Sequence, residues 1–326
     1  MRVLLFGATG TIGQATCKAL LHAGHEVVCF VRQPPQTHEL LAGAQLRFGD
    51  VQSIESVKNV GLQGENFDAI VSCMASRTGA PKDAWAIDFQ AHSQLLQIAI
   101  EAGIAQFVLL SAICVQKPLL AFQQAKLAFE KELRGSGMNY SIVRPTAFFK
   151  SLSGQIKRLQ QNKPFLLFAD GQLTACKPIS DHDLGMFIAQ CLSDPAKHNQ
   201  ILPIGGPGEA ITPLQQGEYL FKAMGKPPKF KQVPVALLDV IIQVLKVLGW
   251  FMPSLAAKAE LARIGRYYAT ESMLVWNAQT QQYDAYITPS FGTQMCCPIK
   301  VPSLESFTKS PSTQNISLGN CLLKLA

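Results

Sequence analysis

The sequence predicts an α/β protein built on a doubly wound parallel sheet, and three observations carry that prediction. Short apolar runs of β-forming residues recur from residue 2 to about residue 145. Stretches of helical period lie between them, and a glycine-rich turn joins the first run to the first helix. Strands that alternate with helices pair in parallel, with helices on both faces of the sheet. Ligands of such sheets bind beyond the carboxyl ends of the strands.

The first run is Arg2-Val3-Leu4-Leu5-Phe6, and Gly7, Ala8, Thr9, Gly10, Thr11, Ile12 and Gly13 follow at once. Gln14 to Ala23 reads as a helix with Ala15, Ala19, Leu20 and Ala23 on its apolar face, and Val27 to Val31 is the second strand. Gly7 permits a tight turn, Gly10 a close backbone approach to a pyrophosphate, and Gly13 close packing of helix on strand. The helix start then offers N–H groups and the positive end of its dipole to the phosphates. In this strand–turn–helix context the glycines are a dinucleotide-binding fingerprint of Rossmann type. Arg32 ends the second strand where an acid would hydrogen-bond the ribose hydroxyls of NAD, and a guanidinium suits a 2′-phosphate, so the expected cofactor is NADPH.

The alternation continues. Leu46-Arg47-Phe48 leads into a turn that sets Asp50 and Val51 beside the adenine. Asp68 to Ala75 is a buried strand ending in the small residues Ala75 and Ser76, where a cofactor can pass over the sheet, with Met74 and Ala75 as cofactor-binding candidates. Asp88 to Gly103 reads as a helix, Gln106 to Ser111 as a strand, Phe122 to Leu133 as a helix and Tyr140 to Pro145 as the sixth strand. Gly10, Ser72, Ser111 and Pro145 are thereby expected to meet at one sheet edge. Residues 1–150 form the expected cofactor-binding core. Residues 151–293 form a smaller, mostly helical substrate-binding portion that includes late sheet elements, among them Ile201-Leu202-Pro203-Ile204. Thr212-Pro213-Leu214-Gln215 is a capping box with Pro at the first helical position, opening a helix to Gly225.

Val235 to Phe251 is strongly apolar, but about seventeen residues with two charges are too short and too polar to span a bilayer comfortably. Asp239, Gln243 and Lys246 share one face, so the stretch reads as an amphipathic helix over a hydrophobic pocket, with peripheral membrane contact as the second reading.

Composition narrows the class. Of 326 residues, 48% are hydrophobic and 16% charged, which fits a compact globular protein and excludes a disordered one. The net charge of +7 is spread without a basic run, so nucleic acid is not an expected partner. Nine cysteines show no metal-ligand spacing, and Cys29, Cys73 and Cys191 sit in apolar runs, as core residues of a reducing compartment do. No metal is expected. The first strand begins at residue 2, so neither a signal nor a transit segment is read; the expected location is the cytoplasm, or the plastid stroma if a transit peptide has been removed.

Reductases of this architecture use a Ser after the fifth strand and a Tyr-x-x-x-Lys pair on the next helix. Ser111 and Lys126 stand at those positions, but Phe122 replaces the tyrosine and has no proton to give. The expected site keeps a cofactor-positioning lysine and lacks the phenol that protonates an alkoxide. That suits hydride addition to a conjugated carbon–carbon double bond.

Leu110 to Leu120, Phe122 to Leu127, Ser141 to Leu152, Cys176 to Ser180, Leu202 to Gly208 and Ala262 to Trp276 together resemble the NADPH-dependent divinyl chlorophyllide a 8-vinyl-reductase family. That family is an atypical branch of the short-chain dehydrogenases, similar in fold to NmrA-like proteins. The resemblance spans roughly residues 1 to 293 and implies NADPH-dependent reduction of the 8-vinyl group of a divinyl chlorophyllide or protochlorophyllide to ethyl, without flavin or iron–sulfur cluster. It implies that Lys126 holds the nicotinamide ribose. The flat macrocycle is expected between Phe148-Phe149 and the apolar helix, with Arg263, Arg266, Tyr267 and Tyr268 as candidates for its propionate or ring carbonyl. The alternatives are a reductase of another conjugated double bond and a non-catalytic NADP(H) sensor. Gln294 to Ala326 departs from the family as a Ser/Thr-rich tail expected to add little to the core. The oligomeric state is left open.

Overall fold

The computed structural model describes residues 1–32, 39, 41–250 and 252–292; the Gln294 to Ala326 tail and the Phe251 end of the apolar stretch lie outside them. The chain divides into two compact units, one of Met1–Thr146 with Ile179–Gly206 and one that begins with Ala147–Pro178 and resumes at Pro207.

The first unit is a seven-stranded sheet. Its strands are β1 (Arg2–Phe6), β2 (Glu26–Val31), β3 (Gln45–Phe48), β4 (Ala69–Ser72), β5 (Gln106–Leu110), β6 (Asn139–Pro145) and a later strand, Gln200–Ile204. The order is β3-β2-β1-β4-β5-β6 followed by the later strand, all parallel. This is the Rossmann order, reversing on either side of β1, where Leu5 pairs with Cys29 on one flank and Val71 on the other. Leu4, Phe6, Val28, Ile70, Phe107, Leu109 and Ile142 fill the core on one face of the sheet. Cys29 and Cys191 are buried as small core residues.

Helix α1 (Thr11–His22) starts earlier than its apolar period suggests and buries Ile12, Gly13, Thr16, Cys17, Ala19 and Leu20, leaving Ala23 exposed. The region expected to start a helix at Asp88 is already helical from Pro81–Ala84, winds through a π-helical turn over Trp85–Ala91 and continues as α2 (His92–Glu101). Asp88 therefore lies inside the helix and is buried, not at a solvated start. Helix α3 (Ala121–Gly135) carries Lys126, and Gln123 Oε1 accepts the N–H groups of Leu119 and Leu120 at its entry. Helix α4 (Asp181–Gln190) packs on α1 so closely that a β-carbon at Gly185 would stand 2.7 Å from the Ala15 carbonyl carbon.

In the second unit, β7 (Phe165–Phe168) pairs in parallel with a short strand, Phe230–Val233, over a small core of Ile156, Leu159, Phe165, Leu167, Leu220 and Phe221. Keeping chain order, Gln200–Ile204 is β8 and Phe230–Val233 is β9. Helix α5 (Pro213–Ala223) has the expected capping box, with Thr212 Oγ1 accepting from Gln215 N–H and Gln215 Oε1 from Thr212 N–H. Helices α6 (Val235–Gly249) and α7 (Pro253–Thr270) pack through Ile242, Leu245, Ala259 and Ala262, and β10 (Val275–Asn277) and β11 (Gln282–Asp284) form an antiparallel hairpin.

Only Leu238, Ile242 and Leu245 of α6 are buried. The expected apolar-in, polar-out division does not hold, because apolar residues run around most of this helix and its packing takes up one stripe alone. Leu237, Val240, Val244, Val247 and Leu248 face outward, with Val240 60% and Val247 64% exposed, and Trp250 just beyond is 90% exposed.

Candidate active site

The site is assembled where β1, β4, β5 and β6 end. Gly7 has φ +75°, and a β-carbon there would lie 2.5 Å from the Cys73 carbonyl carbon. At Gly13 a β-carbon would lie 2.1 Å from the Gly7 carbonyl oxygen, and the Gly10 N–H closes the turn on that oxygen at 3.1 Å. The turn thus wraps the first residues of α1 without side chains. Gly10 is the N-cap residue and contributes no capping side chain, Thr9 and Gly10 are exposed, and Ala8 and Ile12 are buried beneath. An exposed, glycine-lined start of a twelve-residue helix fits a pyrophosphate.

Arg32 lies exposed at the end of β2, and exposed Asp50 and half-buried Val51 follow β3. The Asp50 carboxylate accepts the Gln52 N–H at 3.0 Å, which shapes its own turn. Met74 is buried with its N–H on Ser72 Oγ, Ala75 is exposed, and Pro145 is buried at the end of β6.

Two buried carboxylates, which the sequence reading missed, organise the chemistry. Lys126 Nζ lies 3.0 Å from Asp88 Oδ1, and both side chains are almost fully buried. The same carboxylate accepts the Ser76 N–H at 3.2 Å. On the other flank Ser111 Oγ donates to Glu130 Oε1 at 2.5 Å, and Arg144 pairs with both oxygens of Glu130. Phe122, Lys126 and Glu130 stand four residues apart on α3, a spacing that could have pointed to Glu130.

His92 completes the buried cluster. Its Nδ1 lies 2.8 Å from the Ile87 carbonyl oxygen and its Nε2 2.8 Å from Ser72 Oγ. Burial, helped by the nearby Lys126 charge, pushes its pKa down to about 4, so the ring is neutral, donating from Nδ1 and accepting from Ser72.

Chemically, the arrangement offers a restrained ammonium and no hydroxyl free to protonate a substrate oxygen at the two positions where such reductases keep one. Phe122 has none, and the Ser111 proton is directed at Glu130.

The other candidates belong to the second unit. Phe148 and Phe149 are half-buried at the start of the short helix Phe149–Leu152. Arg266 is ion-paired with Asp239, Arg263 lies 2.8 Å from Glu260, and Tyr267 is buried with its ring edge-on to Tyr268.

A family model described as NAD(P)H-binding matches residues 7–195. The chain is 48% identical over 305 residues to the chloroplastic divinyl chlorophyllide a 8-vinyl-reductase of Cucumis sativus, covering 89% of this chain and 73% of that one. The corresponding protein of Arabidopsis thaliana is 46% identical, over 90% of this chain and 74% of its own. A photosystem II assembly factor, Ycf39 of Cyanophora paradoxa, is 27% identical over 74% of each chain. Among solved structures, an NADPH-dependent quinone oxidoreductase of Escherichia coli superimposes with a TM-score of 0.60 at 18% identity, covering 82% of this chain and 90% of that one. The UDP-glucose 4-epimerase of Thermus thermophilus, with NAD, gives 0.62 at 18% identity over 72% of this chain and 86% of its own.

Proposed function

The chain belongs to the divinyl chlorophyllide a 8-vinyl-reductase family, and we propose that it reduces the 8-vinyl group of a 3,8-divinyl chlorophyllide or protochlorophyllide to ethyl with NADPH. The observation that carries this reading is the missing oxygen acid: Phe122 replaces the phenol and Ser111 is spent on Glu130. A ketone substrate would put charge on an oxygen that such a site does not protonate, whereas a vinyl group conjugated to a macrocycle spreads it over the π-system. When bound, NADPH supplies the hydride. The Gly7–Gly13 backbone and the start of α1 bind its pyrophosphate, Arg32 its 2′-phosphate, and Lys126 the nicotinamide ribose; Phe148 and Phe149 are apolar wall for the macrocycle. Their main contribution is to fix geometry.

Anaerobic incubation with NADPH and divinyl chlorophyllide a, followed by pigment chromatography, is expected to give the monovinyl product. Unchanged pigment with NADPH still bound would mean a sensor. Arg32→Ala is expected to raise the KM for NADPH about tenfold, the loss of one charge-assisted contact, and to leave that for NADH unchanged. Equal effects on both would remove Arg32 from the 2′-phosphate.

The chloroplastic relatives support a plastid stromal location. No helix among the described residues is long and apolar enough to cross a membrane. The outward face of α6 supports peripheral contact with an anionic lipid surface. It presents Leu237, Val240, Val244 and Val247 in a helical stripe, an exposed Trp250 at its end, and exposed Lys231, Lys246 and Lys258 around it, while Asp239 is neutralised by Arg266. The protein is expected to sediment with phosphatidylcholine vesicles that contain phosphatidylglycerol. Val240→Asp/Val247→Asp should release it at least about tenfold, since each valine buries roughly 1.5 kcal/mol or more. Unaltered sedimentation of that variant would exclude α6 as the contact.

A further inference from the structure

We propose that Asp88 is the positioning residue that holds the Lys126 ammonium for the nicotinamide ribose. The inference rests on the ribose role given to Lys126 above. Lys126 has no restraint from its own helix: one turn before it stands Phe122, and one turn after it Glu130, whose two oxygens are taken by Ser111 and Arg144. The restraint comes from another helix, through Asp88 Oδ1 at 3.0 Å.

Two features mark this as more than a structural ion pair. Asp88 lies in the π-helical turn Trp85–Ala91, and such single turns inside longer helices are frequent at functional sites. Its carboxylate is also poorly satisfied for a buried charge. Oδ1 serves both Lys126 and the Ser76 N–H, while Oδ2 is buried with no hydrogen-bond partner among the described residues. A buried, half-satisfied pair is a weak source of stability, and an apolar pair of similar volume would often do as well. What the carboxylate does achieve is to tie Lys126 to Ser76, two residues beyond Met74, at the end of β4 where the sheet edge receives the cofactor.

The test is a set of NADPH dissociation constants, read by nucleotide fluorescence on the full chain, with melting temperatures measured without nucleotide. Asp88→Asn is expected to weaken NADPH about tenfold, and Lys126→Met at least as much. In the Lys126→Met background Asp88→Asn should add nothing, because Asp88 acts only through the lysine. The double variant keeps no unpaired buried charge; it is compared with Lys126→Met where that variant folds and otherwise with Asp88→Asn, whose loss of affinity must then not exceed that of the double variant. A lowered melting temperature with unchanged affinity in Asp88→Asn would make the pair structural and overturn the inference alone. A further loss of about fivefold or more in the double variant would also overturn it, since Asp88 would then act by itself. Unchanged affinity in Lys126→Met would overturn both this inference and the ribose role of the lysine.

Discussion

Lys126→Ala is expected to lower turnover about a hundredfold or more at saturating NADPH, as misplacement of a reacting group by about 1 Å does. On the proposed role of Lys126 the variant loses its contact to the nicotinamide ribose, and the reacting carbon then samples positions outside the productive one. It also leaves Asp88 without its counter-charge in a site where both side chains are almost fully buried. Breaking such a pair costs about 3–5 kcal/mol of stability, so the melting temperature must be followed and turnover measured well below it. A near-normal rate in folded protein would remove Lys126 from the site.

Gly13→Ala carries the second large effect. The added β-carbon would meet the Gly7 carbonyl oxygen at 2.1 Å and the Ala8 Cα at 2.8 Å. Both are backbone atoms of the turn, so no side chain can swing away, and α1 must lift from the end of β1. Overpacking of this kind costs about 3 kcal/mol, and the shifted turn should lose nucleotide binding. Urea unfolding and NADPH titration check the two effects. Gly135→Ala, at the end of α3 with open space around its β-carbon, is the control that should leave both nearly unchanged. Normal NADPH affinity in Gly13→Ala would show that the turn tolerates the displacement.

The first strand, the turn, α1 and β2 were legible because buried parallel strands read as unbroken apolar runs and the turn needs glycine. Even β8 was legible, from Ile201 to Ile204, after a long interruption. The second unit was less so: β9 is Phe230–Val233, of which Lys231 and Gln232 are exposed, and four such residues carry no period to detect. Asp88 was misread because an acid ahead of an apolar run looks like a helix start. Its meaning appears only when the π-helical turn is brought beside α3 by the sheet. Ser111 was found by position, but the direction of its proton depends on Glu130, nineteen residues away in sequence. For α6, composition gave a helix but not its inner face, because leucine and valine occur all around it.

The close approach of Gly185 to Ala15 sets an order of events in time. Helix α1 is made well before its packing partner, since the helix that carries Gly185 lies about 170 residues later in the chain. At ordinary rates of synthesis that is roughly ten to thirty seconds, during which the cofactor-binding turn is anchored on one side alone. Strand β8, which pairs with β6 and forms the edge of the finished sheet, arrives later still. Until then the nascent chain carries a half-covered helix and a β6 without its outer neighbour, a state in which chaperone capture competes with aggregation. The nucleotide turn, made well before α4, is among the last parts of its unit to become rigid.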